Sequence, residues 1–219
     1  TFEETTRRLA VELEVPLGAY VIGPFTFAGL MMGATQVAMA TVDDPDLVHA
    51  AAAYANEVII PYALSLAEAG ADMICILEPT ATFISPRAFK RFSGAYVKEI
   101  VEALAASDAD PMTILHVCGK TRHLVRAMCD TGVQGLSLDA PMDPVATVAA
   151  MPENVVFIGN IDPVAVMVQA TPDEVRAETR ALSEKMAPYP NFILSTGCDL
   201  PPETPLANIE AFVSAAREG

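Results

Sequence analysis

Met112-Thr-Ile-Leu-His-Val-Cys-Gly119 is a short apolar run that ends in a histidine, a cysteine and a glycine, and it is followed by Gly132-Val-Gln-Gly-Leu-Ser-Leu-Asp139, a second such run ending in an aspartate. Neither run alternates apolar with polar, so each reads as a strand covered on both faces, as in a parallel sheet. The same reading extends outward to Ala19–Gly23, Met73–Leu77, Val155–Gly159 and Asn191–Ser195. Between the strands lie helix-entry signals: Asp43-Asp44-Pro45 before an Ala-rich stretch reaching Gly70, Ser85-Pro86, and Thr171-Pro172-Asp173-Glu174. A side-chain acceptor followed by proline suits the first turn of a helix, where the amide that proline lacks has no partner anyway. Strand and helix therefore alternate. An α/β fold follows, either a doubly wound sheet or a TIM-like (β/α)8 barrel.

Six strand-helix units are present, two short of the eight that close a barrel. A barrel reading therefore predicts that two strands precede residue 1 in a longer parent chain, or that a partner chain covers the open edges, since bare parallel edges invite aggregation. The chain begins with Thr1 and enters a helical pattern at once, which fits an absent N-terminal part. No repeat or linker divides it, so residues 1–219 read as one domain.

Asp and Glu outnumber Lys and Arg 28 to 13, a formal charge of −15. That balance speaks against broad contact with nucleic-acid phosphates or an anionic membrane. Charges, glycines and prolines interrupt every apolar run before it reaches spanning length. Four cysteines without a secretory pattern suit a reducing compartment, the cytoplasm.

His116 and Cys118 stand two residues apart at the carboxyl end of a strand, so they share a face. Cys198 follows another strand, in Ser195-Thr-Gly-Cys-Asp199. Ends of parallel strands gather on one rim, where active sites sit. One imidazole and two thiolates suit zinc and leave a fourth position open. The plainer alternative is a hydrogen-bonded histidine and two buried small hydrophobes.

Taken together, His116-Val-Cys-Gly119, Gly132 through Asp139, Gly159-Asn-Ile-Asp-Pro163, Ser195 through Ile209 and Gly23-Pro-Phe-Thr-Phe-Ala28 resemble the methylcobamide:coenzyme M methyltransferases, corrinoid-linked members of the uroporphyrinogen decarboxylase superfamily. The resemblance implies an eight-stranded barrel, a zinc held by His116, Cys118 and Cys198, and methyl transfer from a corrinoid protein to a small thiol. The region that carries the decarboxylases' catalytic aspartate has no counterpart in this stretch.

Around the metal residues, Asp139 is the first choice for a labile fourth ligand, an acidic ligand occurring at similar spacing in the related cobalamin-independent methionine synthase; a capping role competes with it. Glu78, after Met73–Leu77, is assigned to orienting substrate or receiving a ligand's proton, against a simple helix-entry or salt-bridge role. Asn160 and Asp162 are assigned to corrinoid or substrate contact, against Asp162 as a cap before Pro163. Cys75 and Cys129 read as core, His49 and His123 receive no role, and Met31-Met32 reads as core packing. Two rivals stand beside this reading: a metal-free tetrapyrrole enzyme, and a non-catalytic corrinoid- or metal-binding subunit. Self-association is expected if the barrel is open.

Overall fold

The computed structural model of the protein describes residues 1–218. One sheet runs through it, of β1 (Gly18–Ile22), β2 (Met73–Leu77), β3 (Met112–Val117), β4 (Gly135–Leu138), β5 (Val156–Ile161) and β6 (Phe192–Thr196). Each strand lies within two residues of its expected place. Neighbours are parallel throughout and stand in chain order from β1 to β6. That order decides between the two architectures, because a doubly wound sheet reverses its order at a switch point and a barrel does not. The chain forms six consecutive strands of a barrel-like α/β wall.

The helices are α1 (Phe2–Glu12), α2 (Pro24–Met32), α3 (Ala34–Asp43), α4 (Pro45–Glu68), α5 (Pro86–Phe89), α6 (Ala95–Ala105), α7 (Val125–Cys129), α8 (Pro144–Val148), α9 (Pro172–Met186) and α10 (Leu206–Glu218). The entry signals act as expected. Asp44 accepts from Leu47 N ahead of α4, and Ser85 accepts from Ala88 N ahead of α5. Thr171 and Glu174 form a reciprocal capping box at α9, which satisfies two otherwise unpaired donors. A 3-10 turn (Pro79–Phe83) leads from β2 towards α5, and a π-helical turn (Lys90–Gly94) joins α5 to α6.

Gly33, at φ +95°, lets α2 and α3 meet at 105°; an L side chain there would be strained. This bent pair was not resolved as helices in the sequence, and it sits on the rim after β1. No single helix among the described residues is long and apolar enough to cross a membrane.

Phe25, Phe89, Ile74, Ile76, Leu115, Leu136 and Phe157 are fully buried between the sheet's outer face and the helices. The concave inner face is more open. Tyr20 on β1 and Ile193 on β6 are 61% and 45% exposed, because each of these strands has a neighbour on one side only among the described residues.

Candidate metal centre

Inward-facing side chains line a cavity of about 350 Å³ on the concave face, among them Tyr20, Cys75, His116, Ser137, Cys198 and Asp199. His116 comes from β3, and Cys118 follows that strand's last residue. Cys198 arrives two residues beyond β6, across the width of β4 and β5.

Three donor atoms converge there. His116 Nε2 lies 3.0 Å from Cys118 Sγ and 3.7 Å from Cys198 Sγ, and the two sulfurs are 3.5 Å apart. In a tetrahedron with ordinary zinc bond lengths, sulfur–sulfur and nitrogen–sulfur separations come to about 3.8 and 3.5 Å. The triangle has the right size and the right chemistry for such an ion. It is also the one group of three His, Cys, Asp or Glu donors gathered this closely among the described residues.

The local backbone explains the convergence. Gly197 must be glycine, because a Cβ there would meet Ala140 N at 2.5 Å and the Asp139 backbone at about 3 Å. The Cys198 loop can therefore press against the end of β4. His116 Nδ1 lies 3.0 Å from Ser137 Oγ on the neighbouring strand, which leaves Nε2 turned towards the sulfurs. Burial lowers the His116 pKa, against the pull of Asp199 and Asp139, so the ring is neutral and its lone pair available near pH 7. Burial first, then the Cys198 thiol, pushes Cys118 up to about 12. Cys118 thus holds its proton until a cation takes that proton's place.

Asp139 stands outside this triangle. Its Oδ2 accepts from Gly119 N (2.8 Å) and its Oδ1 from Ala140 N (2.7 Å), so the carboxylate pins the turn that carries Cys118. The capping alternative describes this geometry, in which each carboxylate oxygen accepts one bond and keeps a second lone pair. Glu78 is placed differently from a substrate-orienting group. Fully buried, it accepts from Thr26 N (2.5 Å), Thr26 Oγ1 (2.8 Å) and Phe25 N (3.3 Å) at the start of α2. The positive end of the helix and its unpaired amides draw the carboxylate there. Burial raises its pKa to about 7 despite these bonds.

Asn160 and Asp162 lie with Ala140 and Pro144 in a separate depression. Asn160 Nδ2 donates to the carbonyls of Asp139 (3.2 Å) and Met142 (2.7 Å), and Asp162 Oδ1 accepts from Val164 N and Ala165 N. These bonds brace loops; Asp162 caps the turn that begins at Pro163 rather than the helix expected there. Cys75, read as core, lines the cavity with His116, its thiol raised to about 12 by burial and then by Asp199. Cys129 packs against the core as expected, and so does Met32, whereas Met31 is 48% exposed. Asp199, whose charge acts on both Cys75 and His116, is a further residue of the cavity, and its adjacency to the candidate ligand Cys198 is the sequence signal for it.

The family model for uroporphyrinogen decarboxylase (URO-D) matches residues 1–219. The chain belongs to the uroporphyrinogen decarboxylase family. Within the family it is similar to the methylcobamide:CoM methyltransferase MtbA of Methanosarcina mazei, 34% identical over 93% of this chain and 58% of that protein. It is also similar to the uroporphyrinogen decarboxylase of Psychromonas ingrahamii, 27% identical over 97% of this chain and 62% of the relative. The chain thus spans less than two thirds of the length of these relatives. The solved structure of a methyltransferase from Methanosarcina mazei superposes with a TM-score of 0.87 at 26% identity, covering 99% of this chain and 63% of that one. These likenesses establish a URO-D-type barrel and a kinship with corrinoid methyltransferases as well as decarboxylases.

Proposed function

We propose that this URO-D family chain belongs to an enzyme that moves a methyl group from a methylated corrinoid to a thiol, with zinc held by His116, Cys118 and Cys198. The observation that carries the reading is the convergence of those three donors, from two separated strand ends, in a triangle of zinc's dimensions. Bound there, zinc would keep an acceptor thiol deprotonated at neutral pH, where a free thiol of pKa about 8.5 is mostly protonated.

The chain's own residues set up that chemistry. Ser137 orients the imidazole. Asp139 and Asn160, through the Gly119 amide and the Asp139 carbonyl, hold the Cys118 turn and the loop after β4 in place, and Glu78 anchors α2 above the rim. The cavity beside the donors leaves room for a small thiol, coenzyme M in the relatives' printed names. The corrinoid would supply the methyl group, the new carbon–sulfur bond replacing its carbon–cobalt bond and the electron pair staying with the corrinoid. A corrinoid protein would bring the methyl donor, and the cytoplasm, where thiols stay reduced, is the setting.

A second reading has its own support in the decarboxylase relatives: a tetrapyrrole enzyme that uses no metal. Metal content per chain separates the two, measured after purification without chelator on the protein and on Cys118→Ser and Cys198→Ser. Near one zinc per chain, lost in both variants, supports methyl transfer, and turnover of methylcobalamin with a thiol is then the direct assay. A folded protein that takes up no zinc when zinc is offered would overturn it in favour of the metal-free enzyme.

A further inference from the structure

The helices after β1 and β2 frame a trough on the rim that the thiol site does not use. One wall is α3, and the other is the 3-10 turn with the start of α5. Two surface depressions, of about 340 and 480 Å³, share Ala38 and Phe83 and so run into one another. Its exposed apolar side chains are Val42, 81% exposed, Phe83, 68%, and Met39, 59%, with Thr41, Ser85, Arg87 and Arg91 among them towards one end. A contiguous apolar surface of this kind marks a contact site more often than an idle one.

At one end of the trough stand Arg87 and Arg91, in a chain whose formal charge is −15. Neither pairs with a carboxylate among the described residues. Arg91 is nonetheless held still. Its guanidinium lies 4.7 Å from the Phe92 ring centre, and its Nε donates to His49 Nε2 at 3.1 Å. Arginine can only donate, so His49 carries its proton on Nδ1 and gives it to Tyr96 Oη at 2.9 Å; the Tyr96 hydroxyl donates in turn to the His49 carbonyl. The relay leaves the terminal nitrogens of Arg91 unpaired and already ordered, which lowers the entropy cost of meeting an acidic partner.

The trough also adjoins the metal centre. Thr82, next to Phe83, lies against Gly119, where a Cβ would sit 3.5 Å from Thr82 Oγ1, and Gly119 follows Cys118. A body seated on Phe83 therefore sits one residue from the contact that supports the Cys118 turn.

We propose that this trough is the docking surface for the protein that delivers the methylated corrinoid, received through an apolar segment flanked by Asp or Glu. The inference rests on the methyl-transfer reading for the partner's identity. Apolar walls supply the contact area, and the two arginines offset the repulsion between an acidic segment and an acidic chain.

The test compares the full chain with Phe83→Ser and with the double variant Arg87→Glu/Arg91→Glu. Two probes are used: free methylcobalamin, and a methylated corrinoid protein from Methanosarcina mazei. Both variants should raise the Kd for the corrinoid protein at least tenfold, while kcat/KM with free methylcobalamin stays within twofold. Wild-type binding should weaken with salt, and less steeply so in the double variant. Three results would overturn the proposal: unchanged Kd in both variants, no binding by the wild type, or a wild-type dimer that Phe83→Ser dissociates, which would assign the trough to a second copy. If neither free methylcobalamin nor the methylated corrinoid protein methylates a thiol while variant-sensitive binding persists, docking stands and the methyl-transfer reading falls.

Discussion

His116 Nδ1 lies 3.0 Å from Ser137 Oγ, and the two residues are register partners on β3 and β4. A metal-binding histidine commonly has its second nitrogen fixed in this way, and losing such a partner costs about 10- to 100-fold in metal affinity. Ser137→Ala is expected to weaken zinc binding by at least about tenfold, read by competition with a chromogenic chelator, with the far-ultraviolet spectrum unchanged. Equal affinity would show that the ring is held by its packing alone.

Gly197→Ala places a methyl group against Ala140 N and the Asp139 backbone. Backbone on both sides cannot yield as a side-chain tip would, so the Cys198 loop must lift. The expected result is a loss of zinc per chain together with destabilisation of about 1 to 3 kcal/mol. Denaturant titration and metal analysis on one preparation check it. Full occupancy at wild-type stability would show that the loop accommodates the methyl group.

Zinc affinity should rise steeply with pH. Cys118 holds its proton up to about 12 in the metal-free protein, so binding at neutral pH must expel it, whereas His116, its pKa lowered by burial, presents no competing proton. Competition titrations at pH 6, 7 and 8 are expected to show at least about one proton released per zinc. An affinity independent of pH would remove the thiols from the ligand set.

Glu78 makes stability fall with rising pH. Its folded pKa is raised to about 7 against an unfolded value of about 4.3, so the folded state binds the extra proton between these values. The stabilisation is whole below the lower value and is lost as pH climbs through the higher one, with a slope of up to about 1.4 kcal/mol per pH unit. Urea midpoints of the metal-free protein from pH 4.5 to 7.5 should show this slope, and Glu78→Gln should flatten it. An identical slope in the variant would assign the pH dependence to other groups.

Much of the fold was legible because parallel strands buried on both faces leave unbroken apolar runs, and because Asp44, Ser85 and Thr171 cap their helices by local chemistry. The choice of barrel over doubly wound sheet came from the family resemblance and not from periodicity, since strand order is a long-range property. The His116, Cys118 and Cys198 grouping was visible through strand-end logic. The placement of Glu78 was hidden, because its partners, Phe25 and Thr26, belong to a helix more than fifty residues earlier. Asn160 and Asp162 looked like cofactor contacts for the same reason: a strand-end position reveals the rim and says nothing of whether a side chain turns to ligand or to loop. Cys75 misled because position within a strand does not tell the inner face from the outer.

The donors are unequally spread along the chain, His116 and Cys118 two residues apart and Cys198 eighty residues beyond Cys118. A nascent chain leaving the ribosome therefore presents two of the three donors early and cannot close the triangle until β6 has emerged and docked. Metal uptake would then report that β6 has docked on β5, and a product stalled before β6 would lack the site while keeping β1 to β5.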